Sequence, residues 1–281
     1  MGLSPTTVPV ADSAKKLGLI AGNGRFPLIF AREAKREGFD VIAVAHRGET
    51  VEEIESVADT VTWIYVGQLG KIIRTFHQAG VDRAVMAGGI RKVKLFGNFR
   101  PDVRGVRFLA RMRSREDDAL LRGIADELES EGIKVVDSTF CLSHIMPRAG
   151  VLTEMAPSAQ QLEDIKIGFA AAKEIGRLGI GQTVVVKDRV IVAVEAVEGT
   201  DSAILRGGGL VKAGCVVVKV SKPQQDLRFD VPAIGVETIK AMLQAGARVL
   251  AVEAEKTILL EKEALLADAN RAGIAIVALS D

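Results

Sequence analysis

The chain has 281 residues, 48% of them hydrophobic but only 4% aromatic, which is apolar material enough for two domains with aliphatic cores. Lys and Arg number 37 against 36 Asp and Glu, a net charge of +1 that excludes the broad basic footprint of a nucleic-acid-binding protein. Charges interrupt every apolar run before eighteen residues, which excludes a spanning helix, and Cys141 and Cys215 lack metal-ligand spacing, so two buried thiols are expected.

Residues 1–15 are rich in Pro, Thr and Ser and read as a disordered lead-in. They show no basic region followed by an apolar core, so a cytoplasmic protein is expected. Leu17 to Ala21 reads as a strand and runs into Gly22-Asn-Gly-Arg-Phe-Pro27. A helical spacing of Phe26, Ile29, Phe30 and Ala34 follows, then a second strand from Val41 to Ala45. This strand–Gly loop–helix–strand unit is the βαβ building block. Gly22 and Gly24 match the first two glycines of a dinucleotide fingerprint, but Pro27 takes the place of the third. The acid expected about 20 residues on is absent, since the second strand ends in Ala45-His46-Arg47. Anion contact at the helix N-terminus, through Gly22, Asn23 and Gly24, stays open. Hydride chemistry does not follow.

Further strands are predicted at Val61–Val66, Arg83–Ala87 and Ile133–Asp137, with helices over Gln68–Gln78 and Arg115–Glu131. Alternating strands and helices predict a mainly parallel, Rossmann-like sheet over residues 16–145. From Arg91 to Arg115 nine basic residues stand against one acid, Asp102, with apolar residues interleaved. That segment follows Gly88-Gly89 at the expected carboxyl edge of a strand, where ligands bind in such sheets. It suits a ligand with phosphate and hydrocarbon parts, or an anionic membrane surface; a solvated helix face is the bland alternative.

Residues 146–160 read as a linker, and 161–281 as a second α/β domain with a mixed sheet. A helix is predicted over Ala159–Leu178, and strands from Gln182 to Lys187 and Val190 to Val197 form a hairpin about Asp188-Arg189. Val216–Val218 is the next strand. Helices at Val236–Ala245 and Lys256–Ala272 alternate with strands at Arg248–Val252 and Ile274–Leu279. Glu195, Glu198 and Asp201 close one strand, while Asp226 and Asp230 follow another in a loop bearing Lys222 and Arg228. If those strands are neighbours, the carboxylates meet at one sheet edge and suit a hard divalent cation beside a phosphate.

Five segments resemble the LpxI-type UDP-2,3-diacylglucosamine pyrophosphohydrolases of lipid A biosynthesis: Ala21 to Pro27, Met86 to Ile90, Asp117 to Arg122, Glu198 to Asp201 and Lys222 to Pro232. The resemblance implies a two-domain enzyme that encloses a lipid-linked nucleotide sugar between its domains. It implies Mg²⁺-dependent hydrolysis to UMP and 2,3-diacylglucosamine 1-phosphate, with water attacking the sugar-side phosphorus. The catalytic carboxylate falls on Asp226, or else on Asp230. Asp226, Glu198 and Asp201 are the expected metal ligands. Gly22, Asn23, Gly24, Gly88, Gly89, Arg91, Thr200, Lys222 and Arg228 are the expected substrate contacts. Peripheral contact with the inner membrane is a further expectation. Gln225 stands where a glycine is expected, which puts the shape of its loop in question. A non-catalytic nucleotide- or lipid-binding module using the same cleft is the competing reading.

Overall fold

A computed structural model describes residues 15–90, 99–112, 117–229 and 231–280; the expected lead-in lies outside it except for Lys15, as do Arg91 and Asp230. The chain divides into two compact units, Met1–Val136 and Asp137–Asp281.

The first unit holds strands β1 (Lys15–Ala21), β2 (Phe39–His46), β3 (Thr60–Ile64), β4 (Arg83–Ala87) and β5 (Lys134–Val135). They form one sheet in the order β3-β2-β1-β4-β5, with every pairing parallel. Strands buried on both faces must be apolar throughout, and Val41 to Ala45 are all buried. Helices α1 (Phe26–Arg36), α2 (Ile54–Val57) and α3 (Leu69–Ala79) connect the strands. Pro27 lies in the first turn of α1, where its missing N–H leaves nothing unpaired. The order reverses between β1 and β4, the topological switch point beside which ligands bind in such sheets.

Within the basic segment a helix forms, α4 (Val103–Arg111), and it precedes α5 (Asp117–Glu129). Asp102 caps α4, its side chain accepting from the Gly105 N–H at 2.8 Å. Gly105 is what lets α4 sit so close: a Cβ there would lie 2.0 Å from the Gly67 carbonyl oxygen.

The second unit contains β6 (Gly150–Val151), β7 (Thr183–Lys187), β8 (Val190–Val194), β9 (Val216–Lys219), β11 (Val249–Glu253) and β13 (Ala275–Leu279) in a six-stranded sheet. Its order is β6-β13-β11-β9-β7-β8, parallel from β13 to β9 and antiparallel at β6, β7 and β8. Asp188 and Arg189 both adopt positive φ, the geometry of the two-residue hairpin expected here. Their backbone N–H groups donate to the Asp164 carboxylate at 3.2 and 2.6 Å, which gives that buried acid its partners.

The helices are α6 (Ala159–Arg177), α7 (Thr200–Val211), α8 (Val236–Gln244) and α9 (Lys262–Ala272). The predicted helix over Lys256–Ala272 starts late. Ile258–Leu259 is instead strand β12, paired in parallel with β10 (Ala233–Ile234). Both residues are fully buried, and Glu261 at φ 52° breaks helical continuity. Helix α7 runs through Gly207-Gly-Gly209, residues that ordinarily weaken helices. Close packing explains two of them: a Cβ on Gly207 would lie 2.9 Å from Val185, and one on Gly208 would lie 2.3 Å from the Ala245 carbonyl oxygen, whereas one on Gly209 would meet open space. Neither Cys141 nor Cys215 forms a disulfide; Cys215 is buried, which raises its pKa, whereas Cys141 is only partly buried, unlike the buried thiol expected there. Among the described residues no helix is long and apolar enough to cross a membrane.

Candidate functional site

In the first unit, the two glycine loops meet at the switch point. The Gly22 N–H donates to the Ala87 carbonyl and the Asn23 N–H to the Gly89 carbonyl, both at 2.8 Å. A Cβ on Gly22 would lie 2.4 Å from the Gly89 oxygen, and one on Gly88, at φ 77°, would lie 2.3 Å from the Asn23 oxygen. Glycine is therefore required at both places, whereas Gly24 needs it only for its φ of 81°. Gly22→Ala forces two backbone segments apart and should cost about 1–3 kcal/mol in urea unfolding. A stability equal to wild type would show that the two loops move independently.

A buried polar cluster supports this loop from below. His46 Nδ1 lies 2.9 Å from the Ala21 carbonyl oxygen, to which the Thr50 hydroxyl also donates at 2.6 Å. Asn23 Nδ2 donates to Glu49 Oε2 at 3.3 Å. An acid thus does reach the loop, carried by the turn after β2 instead of by the end of that strand. Burial lowers the His46 pKa from its ordinary 6.5, against the raising effects of the Ala21 carbonyl and Glu49. The unfolded chain therefore binds the proton first as pH falls, and stability drops as pH passes below about 6.5. The melting midpoint of wild type should fall between pH 7 and pH 5 more steeply than that of His46→Gln. Equal slopes would remove His46 as the cause.

In the second unit, the carboxyl ends of β8, β9 and β11 and the amino end of β7 share one edge, since Thr183 is paired with Lys219 and Lys219 with Val252. Four buried polar side chains gather there: Thr183, Glu195, Lys219 and Glu253. Lys219 Nζ donates to Thr200 Oγ1 at 3.2 Å and to the Ala233 carbonyl at 2.8 Å. Thr200 Oγ1 donates in turn to Glu195 Oε1 at 2.9 Å. Thr200, expected as a substrate contact, also opens α7, after Gly199 at φ 84°. The Lys219 ammonium and the first-turn N–H groups of α7 are the donors that this edge sets beside the Glu195 carboxylate.

The loop after β9 leaves from the same edge. Glu253 accepts from the Ser221 N–H at 2.9 Å and from Lys173 Nζ at 2.8 and 2.7 Å, and Lys173 Nζ also donates to the Ser221 carbonyl at 3.2 Å. Lys256 adds a second cationic donor at 2.5 Å. Further along, Gln225 Oε1 accepts from the Lys222 N–H at 2.8 Å and the Leu227 carbonyl accepts from Ser138 Oγ at 2.7 Å. Gln225 is not among the positive-φ residues, so the substitution for glycine is accommodated in an ordinary backbone conformation. Asp226 is half-buried and held in a fork by Arg228, whose Nε and Nη2 donate to its two oxygens at 3.0 and 2.9 Å. Arg228, expected to meet substrate, thus grips the candidate catalytic carboxylate.

The three carboxylates expected to share a metal each have a separate partner. Glu198 is exposed and paired with Arg206 at 2.6 Å, which lowers its pKa. Asp201 accepts from the Thr238 hydroxyl at 3.3 Å, and Asp226 faces Arg228. Among the described residues no group of three or more His, Cys, Asp or Glu is arranged to hold a metal ion. A Mg²⁺ that arrives with a substrate phosphate needs only one or two carboxylates. Asp226 fits that requirement; a closed protein cage does not. Lys173 and Glu253 were missed in the sequence, although Glu253, like Lys219 at the head of the charged loop, closes an aliphatic strand with a charge.

The sequence model of the LpxI N-terminal domain matches residues 16–145, and that of the LpxI C-terminal domain matches residues 148–277. A UDP-2,3-diacylglucosamine pyrophosphatase LpxI from Caulobacter vibrioides is 33% identical over 281 residues, covering 94% of this chain and 97% of its own. The solved biotin carboxylase subunit of a pyruvate carboxylase is 15% identical at a TM-score of 0.26, over 61% of this chain and 34% of that one. Glycinamide-RNase-transformylase T from Mycobacterium tuberculosis is 13% identical at a TM-score of 0.26, over 65% of this chain and 44% of that one. The chain spans about a third of the first of these solved proteins and under half of the second, and similarity at this level carries no functional argument.

Proposed function

The chain belongs to the LpxI family, and from that membership we infer that it hydrolyses the pyrophosphate bond of UDP-2,3-diacylglucosamine, a step of lipid A biosynthesis. The products are UMP and 2,3-diacylglucosamine 1-phosphate. The observation that carries this reading is 33% identity along nearly the whole of both chains, with both domain models matched.

Phosphoryl transfer asks a protein for charge neutralisation and in-line positioning more than for a covalent nucleophile. In our reading Asp226 holds the attacking water on the sugar-side phosphorus and accepts its proton. Arg228 fixes the Asp226 carboxylate through its paired hydrogen bonds. Lys222 and Lys219 neutralise the non-bridging oxygens, with Thr200 as a neutral contact beside them, and the glycine loops at Gly22–Gly24 and Gly88–Gly89 are the substrate contacts we assign to the first unit. Asp230 and Arg91, which lie outside the described residues, retain their assignments as second carboxylate and phosphate contact. A divalent cation held by Asp226 and substrate phosphate oxygens would supply further charge neutralisation at the pyrophosphate.

The test is UMP release from UDP-2,3-diacylglucosamine, with Mg²⁺ and with excess EDTA. The reading expects release that EDTA abolishes and Mg²⁺ restores. Full activity in EDTA would remove the cation, and saturable substrate binding without any UMP would leave a binding module in place of an enzyme.

A further inference from the structure

Every exposed large apolar side chain described in the first unit lies on one short segment: Phe99, Val103 and Val106, which are 41%, 68% and 52% exposed. The clustering is not an accident of helix ends. Helix α4 turns Gly105 and Phe108 inward and presents Val103, Val106, Arg107, Ala110 and Arg111 to solvent. An isolated exposed valine needs no explanation, but a helix face that alternates apolar and cationic residues does.

The charges on that face are of one sign. The Asp102 carboxylate is turned onto backbone, accepting from the Gly105 and Lys71 N–H groups. Glu127 and Glu131 are both engaged by Arg104, at 2.8 and 2.6 Å. Beside α4 runs a groove of about 500 Å³ against α3, lined by Arg74, His77, Val103, Arg104 and Arg107 among others. Arg107 and Arg111 line a second hollow of about 260 Å³ that continues the first. Arg100, stacked 4.2 Å over the Tyr65 ring, extends the positive surface towards Phe99.

We propose that the outer face of α4, with the α3–α4 groove, docks the protein on an anionic lipid bilayer. The valines and Phe99 enter the interface between headgroups and acyl chains, and Arg74, Arg107 and Arg111 meet the lipid phosphates. The arrangement of apolar residues between arginines is that of a helix lying in the membrane plane, and the absence of unengaged acids on the described face matches it to a negative surface. The inference rests on the first unit alone and holds whether or not the pyrophosphatase reading does.

Flotation of the full chain with vesicles tests it without recourse to activity. Wild type should float with phosphatidylglycerol-rich vesicles at 0.1 M salt, lose most of that binding at 0.5 M, and ignore pure phosphatidylcholine. Arg107→Ala/Arg111→Ala should weaken binding about 10- to 30-fold. Val103→Ser/Val106→Ser, also on exposed positions, should weaken it at unchanged salt dependence. Failure of wild type to float with anionic vesicles, or unaltered binding by both variants, overturns the proposal. Equal binding to phosphatidylcholine overturns the anionic part. Self-association in sedimentation that the valine substitutions abolish, with no vesicle binding, overturns it in favour of a second copy of the chain.

Discussion

Asp226→Asn is expected to leave the fold intact and to cut turnover by about 10²–10⁴-fold, the range of a lost general base. The two effects separate because of where the side chain sits. Its partner Arg228 is two residues away in the same loop, and both side chains keep about a quarter of their surface exposed. Such a pair contributes at most about 1 kcal/mol to stability. The amide retains the shape and an oxygen for the guanidinium but loses the negative charge and the proton affinity. A collapse of kcat with a melting midpoint within a degree or two of wild type therefore points to chemistry, not to damage. Turnover within a factor of three of wild type would move the role to Asp230, and normal turnover by both asparagine variants would remove the loop from the mechanism.

The architecture was legible where physical periodicity is local. The apolar runs at β1, β2, β4, β9, β11 and β13, the Pro27 start of α1 and the Asp188-Arg189 turn all follow from spacing and turn chemistry within a dozen residues. Strand order does not, because the 3-2-1-4-5 sequence depends on which faces find cover, and only that order brings Gly22 beside Gly88. Helix α7 was hidden by Gly207-Gly-Gly209, whose meaning is set by Val185 and Ala245 across the packing interface. The expected convergence of carboxylates was half right. Glu195, Glu198, Asp201 and Asp226 do follow strands that end at one edge, yet each has found its own donor, as charges near a partly dry surface must. The legible sign of the buried network was a charge that closes an aliphatic run. Lys219 after Val216–Val218 and Glu253 after Val249–Val252 both carry it.

Glu253→Ala is expected to have the largest effect on stability. The carboxylate is 1% exposed and satisfies Lys173, Lys256 and the Ser221 N–H at once. Its removal leaves the Lys173 ammonium, itself 20% exposed, and a buried backbone donor without their acceptor. Breaking one side of such a pair costs about 3–5 kcal/mol, which lowers the melting midpoint by on the order of 10 °C for a unit of this size. Replacing both charges, as in Lys173→Met/Glu253→Leu, removes the stranded ammonium and should recover much of that loss. Lys256, 40% exposed, returns to water with little penalty. Turnover should not recover with stability. Lys173 and Glu253 together hold both the N–H and the carbonyl of Ser221, the residue from which the Asp226 loop departs. A shift of about 1 Å at that base is enough to cost roughly 10²-fold in rate. The double variant should therefore melt well above Glu253→Ala, short of wild type by the unpaired Ser221 N–H, keep its KM, and remain at least about tenfold slow in kcat. Full recovery of kcat along with stability would mean that the pair supports only the fold and that Ser138 and Gln225 suffice to hold the loop.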